Sequence, residues 1–324
     1  MMWLARVGVA MLVASSAALG ATAAHAADYP GRPVRLVVPF TAGGTLDIVA
    51  RLVATKLRDV WHQPVVVDNR VGGNGAVAVE YVVNSKPDGL TLLYNGSLLA
   101  VIQQVQRTPF DINRDLIPVV QPVAYLQVLG VNSKLGVTSI AELLALARRE
   151  PGRLNYGSGG VGSGLHLYME LVKSSAHVEI THVPYKGNAP AIQALMTGEV
   201  DMVFDTVGGM LPAIRSGRVR PLMVTGPRPI DSLPDVPTME SVMPGVMSDA
   251  GWHGIFVPTG TPRLIVDQIA TDVRTVVFSP DIVARLRDLE FLPTGLDSVA
   301  FAAVIRKDFD VWGNLIREKN IHAD

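Results

Sequence analysis

The chain has 324 residues, with 28 basic and 29 acidic side chains and no cysteine. A formal net charge of −1 provides no electrostatic footprint for nucleic acid or anionic lipid. The lack of cysteine excludes disulfides and a lipid anchor on an N-terminal cysteine. A chain of this length commonly forms two domains, each with its own core.

The first segment predicts secretion. Residues 1–6 carry one positive charge, residues 7–19 form a short apolar run, and Ala24 and Ala26 are small residues at the positions that a signal peptidase reads. The alternative, a membrane anchor, would need about 20 apolar residues. We therefore expect a signal peptide at 1–26 and a periplasmic mature chain of 298 residues, with 27 basic and 29 acidic side chains.

The mature chain then alternates strand and helix patterns. Short apolar runs predict strands, and apolar residues at helical spacing predict helices. In the first part, strands are predicted at 34–39, 65–67 and 90–94, with helices at 46–57 and 76–83. Further strands are predicted within 119–131 and at 154–156, 179–184 and 200–205, with helices at 139–149, 165–174 and 190–197.

This alternation predicts an α/β fold with mostly parallel sheets. No low-complexity linker is present, so compact crossovers are expected around 119–125 and 247–255. We predict one discontinuous lobe from 27–122 and 250–324, and a second lobe from 123–249.

Two segments share one pattern, an apolar strand, a loop rich in Gly, Ser and Thr, and a helix. They cover residues 36–57 and 154–173. A helix N-terminus exposes unpaired N–H groups and partial positive charge, and glycine lets a ligand approach the backbone. Such loops at the carboxyl ends of strands favour carboxylate binding without a cation. The alternative is that both loops are only tight turns and that Asp47 only caps its helix.

Other patterns are weaker. Gly157, Gly159 and Gly162 match a dinucleotide fingerprint, but Glu179 begins the next strand, whereas a ribose-binding acid belongs at its end. Asp205 follows a strand, where it can accept a hydrogen bond from a ligand ammonium or hydroxyl or can cap a turn. No nucleophile elbow, Walker loop or HExxH motif is present.

Short motifs follow one another along almost the whole mature chain. They are YPxRPVRLVVPF at 29–40, AGGxxD at 42–47, VDNR at 67–70, KPDGLTLL at 86–93, LNYGS at 154–158, VPYKG at 183–187, GEVDM at 198–202, LPDVPT at 233–238 and PxGTP at 258–262. Together these motifs resemble the Bug (TctC-like) substrate-binding proteins of tripartite tricarboxylate transporters. The chain departs from the usual family pattern at Thr41 and Ala42, and Asp205 lies at a position that varies among members.

This resemblance implies a type 2 periplasmic-binding-protein fold, two α/β lobes with a ligand cleft between them. It implies a non-enzymatic, monomeric receptor without cofactor or metal that delivers a carboxylate to membrane permease subunits. Family members bind di- and tricarboxylates, acidic amino acids, nicotinate and aromatic acids. The predicted ligand-binding residues are Phe40, Thr41, Ala42, Gly43, Gly44, Asp47, Ser97, Tyr156, Gly157, Ser158, Gly159, Gly162, Ser163, His166, Tyr185, Asp205 and Trp252.

Two alternatives to transport remain at this level. One is a secreted hydrolase that uses Ser158 or Ser163 with His166. The other is a ligand-binding subunit that engages a signalling partner.

Overall fold

The computed structural model describes residues 29–246 and 249–322, and strands and helices alternate along them. The predicted signal peptide lies outside the described residues. The strands are β1 (Val34–Val38), β2 (Val65–Asn69), β3 (Thr91–Gly96), β4 (Leu116–Tyr125), β5 (Gln127–Asn132), β6 (Asn155–Ser158), β7 (Thr181–Pro184), β8 (Met202–Thr206), β9 (Val219–Val224), β10 (Gly251–Pro258) and β11 (Phe291–Leu296).

The α-helices are α1 (Thr45–Trp61), α2 (Ala76–Val83), α3 (Ile102–Val105), α4 (Ile112–Asp115), α5 (Ile140–Arg149), α6 (Gly164–Ala176), α7 (Asn188–Thr197), α8 (Val207–Arg215), α9 (Met239–Val242), α10 (Arg263–Val277), α11 (Pro280–Asp288) and α12 (Ser298–Lys319). Short 3-10 turns cover Gly73–Gly75, Ser97–Ala100 and Ser133–Leu135.

The strands form two sheets. The six-stranded sheet of lobe 1 has the order β11-β4-β10-β3-β1-β2, and the five-stranded sheet of lobe 2 has the order β7-β6-β8-β5-β9. Strand β1 is parallel to β2 and β3, and β6 is parallel to β7 and β8. The other pairs are antiparallel. The α/β prediction is confirmed, but the expectation of mostly parallel sheets is wrong because β4, β5 and β10 carry the chain between the lobes.

The chain passes from lobe 1 to lobe 2 at Leu126. Tyr125 still pairs with Gly251 and Phe291 of the first sheet, whereas Gln127 pairs with Thr206 of the second. The predicted lobe boundary after residue 122 falls inside β4. The chain re-enters the first sheet at Gly251, so the two crossing segments lie side by side between the lobes.

The predicted helix starts and ends follow local chemistry. Ser139 caps α5 as expected, and its hydroxyl accepts the N–H of Glu142 at 3.2 Å. Gly198 ends α7 in the left-handed conformation, with φ of 85°. Apolar side chains at helical spacing on α1 are buried against the first sheet, as the sequence pattern predicts.

Each sheet is covered on both faces by buried apolar side chains. The last helix, α12, spans both lobes, because Phe301 and Ile305 pack in lobe 1 while Trp312 and Ile316 pack against the core of lobe 2. Within 29–246 and 249–322, no helix is both long and apolar enough to cross a bilayer.

Candidate functional site

A cavity of about 520 Å³ lies between the two lobes. Lobe 1 contributes the loop before α1 and the segment around Ser97–Ala100, and lobe 2 contributes the loop before α6. The two walls come close at Gly162, since a Cβ built there would lie 3.4 Å from Val105. The predicted site residues on the cavity wall are Phe40, Thr41, Gly44, Asp47, Ser97, Gly159, Gly162 and Ser163.

The carboxylate of Asp47 holds the first loop in place. It accepts the N–H of Gly43 at 2.9 Å, the Nε of Arg51 at 2.9 Å and the Nδ2 of Asn69 at 2.9 Å. Asn69 also donates to the carbonyl of Phe40 at 2.9 Å. Burial raises the pKa of Asp47, but these hydrogen bonds outweigh it and lower the pKa to about 2. Asp47 therefore stays charged and positions the loop.

Ser163 and His166 fix the second loop from its own helix. The Ser163 hydroxyl accepts the N–H of His166 at 3.3 Å and is the N-cap of α6. In return, Nδ1 of His166 accepts the N–H of Gly162 at 3.0 Å. The neutral imidazole therefore carries its proton on Nε2. Burial lowers the pKa of His166, so the ring stays a neutral acceptor.

A stack of three rings, from Tyr156, His182 and His166, supports the loop before α6. The rings of His166 and His182 are stacked with centroids 4.1 Å apart, and His182 is stacked on Tyr156 at 4.8 Å. His182 Nε2 is hydrogen bonded to the Ser158 hydroxyl at 2.7 Å, and Tyr156 donates to Glu170 at 2.6 Å. Burial, followed by the neighbouring His166, lowers the pKa of His182 to about 4. The stack is therefore neutral at physiological pH and orders the loop.

Two helix N-termini supply the donors at the cavity. Thr45 and Leu46 begin α1, Gly164 and Leu165 begin α6, and all four residues line the cavity. Among the described residues, no backbone or side-chain acceptor takes the N–H groups of these four residues. Each terminus also carries partial positive charge. The amides of Gly43 and Gly162, by contrast, are already paired inside their loops.

The cavity wall holds no formal positive charge in the part of the chain that the structure describes, since neither Lys nor Arg lines it. Most of the remaining wall is apolar. It includes Phe40, Leu46, Leu98, Val101, Ile102, Val105, Val161, Leu165, Leu167, Tyr168, Phe291 and Trp312. Such a site suits an anion that carries an apolar body.

Polar side chains gather where the chain crosses between the lobes. The hydroxyls of Ser97 and Tyr125 are 3.0 Å apart. Asp308 of α12 accepts the indole N–H of Trp252 at 2.7 Å. Burial raises the pKa of Asp308 to about 6, although the indole hydrogen bond lowers it. Ser97, Tyr125, Gln127 and Asp308 all line the cavity, and we call this group the hinge floor.

Several predicted ligand residues lie outside the cavity wall. Trp252, predicted in the cleft, is fully buried and packs on Phe301 with ring centroids 4.9 Å apart. Tyr185 turns away and donates to Glu199 at 2.8 Å. The other predicted residues outside the wall are Ala42, Gly43, Tyr156, Gly157, Ser158, His166 and Asp205.

Asp205 is buried behind the wall. Its carboxylate accepts the N–H of Thr206 at 2.6 Å and the Nδ2 of Asn188 at 3.2 Å. Burial raises its pKa to about 6 despite these hydrogen bonds. Thr206 and Asn188 line the cavity themselves. Asp205 thus positions two wall residues, and the N-cap of α8 is Thr206.

The hydrolase alternative has no accessible nucleophile–base pair. Ser158 is fully buried and hydrogen bonded to His182 instead of His166. Ser163 uses its hydroxyl as a helix cap, and Nδ1 of His166 already accepts a backbone N–H. In the described structure these serine and histidine side chains hold the loop.

Sequence reasoning missed the wall residues that only the tertiary fold brings in. These are chiefly Asn74, Tyr125, Gln127, Asn188, Thr206, His253 and Asp308. One signal was available, because polar Gln127 interrupts an apolar strand run. The others have no local motif that separates them from ordinary surface or core positions.

The chain belongs to the family described as the tripartite tricarboxylate transporter family receptor, TctC, whose model matches residues 49–321. A Pseudomonas sp. (strain P51) protein, the UPF0065 protein in the tcbD-tcbE intergenic region, is 35% identical over 98% of this chain and 94% of its own length. The predicted resemblance to the Bug (TctC-like) proteins is therefore confirmed.

Solved structures agree with this assignment. A Rhodopseudomonas palustris protein solved with adipate is 35% identical, with a TM-score of 0.81 over 91% of this chain and 99% of that one. MatC from the same species, solved with malate, is 28% identical, with a TM-score of 0.77 over 89% of this chain and 100% of that one. The predicted periplasmic-binding-protein fold is confirmed. The family and the fold are those of periplasmic solute-binding receptors.

Proposed function

We propose that this receptor captures a small carboxylate in the periplasm and delivers it to the membrane subunits of a tripartite tricarboxylate transporter. One observation carries the proposal. The N-termini of α1 and α6 come from different lobes and line a single cavity, and their first N–H groups have no acceptor among the described residues; no lysine or arginine of the described residues lines that cavity. A carboxylate between them would be held by fixed dipoles, and binding it would favour the closed arrangement of the lobes.

The related structures with adipate and malate support a carboxylate ligand. The apolar wall supports one with a carbon chain or ring instead of a densely charged one such as citrate. Secretion through the signal at residues 1–26 and function as a monomer remain part of the proposal, as does the division into two lobes, with the first crossing at Leu126 instead of after residue 122.

A thermal-shift screen of organic acids tests the proposal. A ligand at 100 times its Kd stabilises the folded state by about 2.7 kcal/mol, which gives a shift of several degrees in Tm. We expect such a shift with at least one mono- or dicarboxylate and none with the corresponding amides. A cooperative melt that no carboxylate changes would count against carboxylate binding.

An uptake assay tests the transport part separately. A strain that lacks this protein should lose high-affinity uptake of the stabilising acid and regain it with the wild-type gene. Unchanged uptake, with a lost transcriptional or motile response to the same acid, would favour the signalling alternative.

A further inference from the structure

The side chain of Gln127 is an unpaired amide on the cavity wall. Gln127 is 3% exposed, and its Oε1 finds no hydrogen-bond partner among the described residues. Its backbone is fully used, because its N–H donates to the Thr225 hydroxyl at 2.9 Å and its carbonyl accepts the Thr225 N–H at 2.8 Å. The side-chain amide is therefore the group of Gln127 that is left to form a hydrogen bond with a ligand in the cavity.

Buried amides without partners are uncommon in folded proteins, because they give up hydrogen bonds to water and receive nothing in return. The described residues contain one other such atom, Oε1 of Gln121. Gln121 lies away from the cavity wall, and its Nε2 donates to Thr294 at 3.2 Å. The two glutamines thus share burial and chemistry, and of the two only Gln127 lines the cavity.

The position of Gln127 defines a distance from the helix N-termini. In the second sheet, β5 lies two strands from β6, and in the first sheet β4 lies three strands from β1. Because neighbouring strands are about 4.8 Å apart, the hinge floor is roughly 10–14 Å from the two binding loops along the cleft. After a hydrogen bond of about 3 Å at each end, roughly 4–8 Å remains for the ligand.

We propose that Gln127 determines specificity by binding a second polar group of the ligand, so that the ligand is a carboxylate with another hydrogen-bonding group about three to six carbons away. This inference rests on the proposed function. The amide can donate and accept, and the hydroxyls of Ser97 and Tyr125 lie on the same floor. A hydroxyl, an amide or a second carboxyl group therefore satisfies it, whereas a methyl group leaves it unpaired.

Calorimetric titration with three probes of equal chain length tests the proposal: adipate, 6-hydroxyhexanoate and hexanoate. The wild type should bind adipate or 6-hydroxyhexanoate at least about 10-fold more tightly than hexanoate, because a lost hydrogen bond at a buried site is costly. In Gln127→Leu this preference should fall to about 2-fold or less, mainly through weaker binding of adipate and 6-hydroxyhexanoate. The matched variant Gln121→Leu should keep the wild-type preference.

Urea unfolding without ligand separates this role from a structural one. Gln127→Leu should be at least as stable as the wild type, because leucine removes an unpaired buried amide, and Gln127→Met gives a second variant of similar shape. An unchanged preference in both variants, or an equal loss for all three acids, overturns the role of Gln127. Failure of the wild type to bind any of the three acids overturns the proposed spacing of the second polar group, whereas the carboxylate ligand itself is overturned only if the screen of organic acids also finds none that binds.

Discussion

We predict that Gly164→Pro weakens ligand binding with little change to the fold, because it removes one N–H that we propose binds the ligand. Gly164 is the first residue of α6, its N–H has no acceptor among the described residues, and a Cβ built on it meets nothing within 4 Å. Proline is tolerated at the first helical position because its fixed φ suits the helix and its missing N–H breaks no helical hydrogen bond. The preceding Ser163 already has the extended backbone that proline requires, with φ of −64° and ψ of 153°.

The size of the effect follows from the lost hydrogen bond. A hydrogen bond to a charged group is worth about 1.5–3 kcal/mol, which corresponds to a loss of about 10- to 150-fold in affinity. Gly164→Ala is the matched control, because it adds the Cβ and keeps the N–H. We expect the alanine variant to bind within about 3-fold of wild type, and both variants to unfold within about 1 kcal/mol of it.

Isothermal titration with the acid that stabilises the wild type most provides the assay, and urea unfolding of the apo proteins provides the check on the fold. If the proline and alanine variants bind equally while both are folded, the Gly164 amide does not contact the ligand. The proposal that the N-terminus of α6 binds the ligand would then be wrong.

Two further predictions concern the groups that hold the loops. At pH 7, Asp47→Asn should lower the free energy of unfolding by about 2 kcal/mol, since the pKa of Asp47 falls from 3.8 to about 2 on folding. The difference between the two proteins should vanish as the pH falls from about 4 to 2. Equal urea midpoints of the two proteins at pH 7 would contradict this prediction. The pKa of His182 falls from 6.5 to about 4 on folding, so the unfolded chain binds more protons between these values and stability should decline as the pH drops through them. In His182→Gln that decline should be smaller by about 1–2 kcal/mol at pH 5, and parallel stability curves for the two proteins would refute the assignment.

Local signals in the sequence were enough to predict the elements around the site. Apolar runs and periodicities, helix caps and glycine stops act over a few residues, so β1, α1, β6 and α6 are found close to their predicted positions. The two loops were identified for the same reason, because a short strand followed by small residues and a helix start has one common geometry.

What the sequence did not reveal depends on tertiary contacts. Trp252 has the appearance of a ligand-binding aromatic, but its place in the core is set by Asp308, 56 residues further along the chain. The amides of Gly43 and Gly162 are taken by Asp47 and His166, a pairing that no spacing rule separates from simple capping. The antiparallel crossing strands have the same composition as parallel ones.

The loops are therefore pre-organised by their own side chains before a ligand arrives. Asp47 accepts the N–H of Gly43, and the rings of Tyr156 and His166 pack in the stack with His182. These groups, which the sequence suggested for the ligand, hold the loops instead. Because these side chains order the loops during folding, we expect ligand affinity to depend on the few N–H groups that remain unpaired.

A crystal structure of the complex with a stabilising dicarboxylate such as adipate gives the most direct measurement. We predict one carboxylate within about 3.2 Å of backbone nitrogens at the starts of both α1 and α6, with no lysine or arginine in contact. A carboxylate bound to a cationic side chain, or bound outside the space between the two helix starts, would contradict the account.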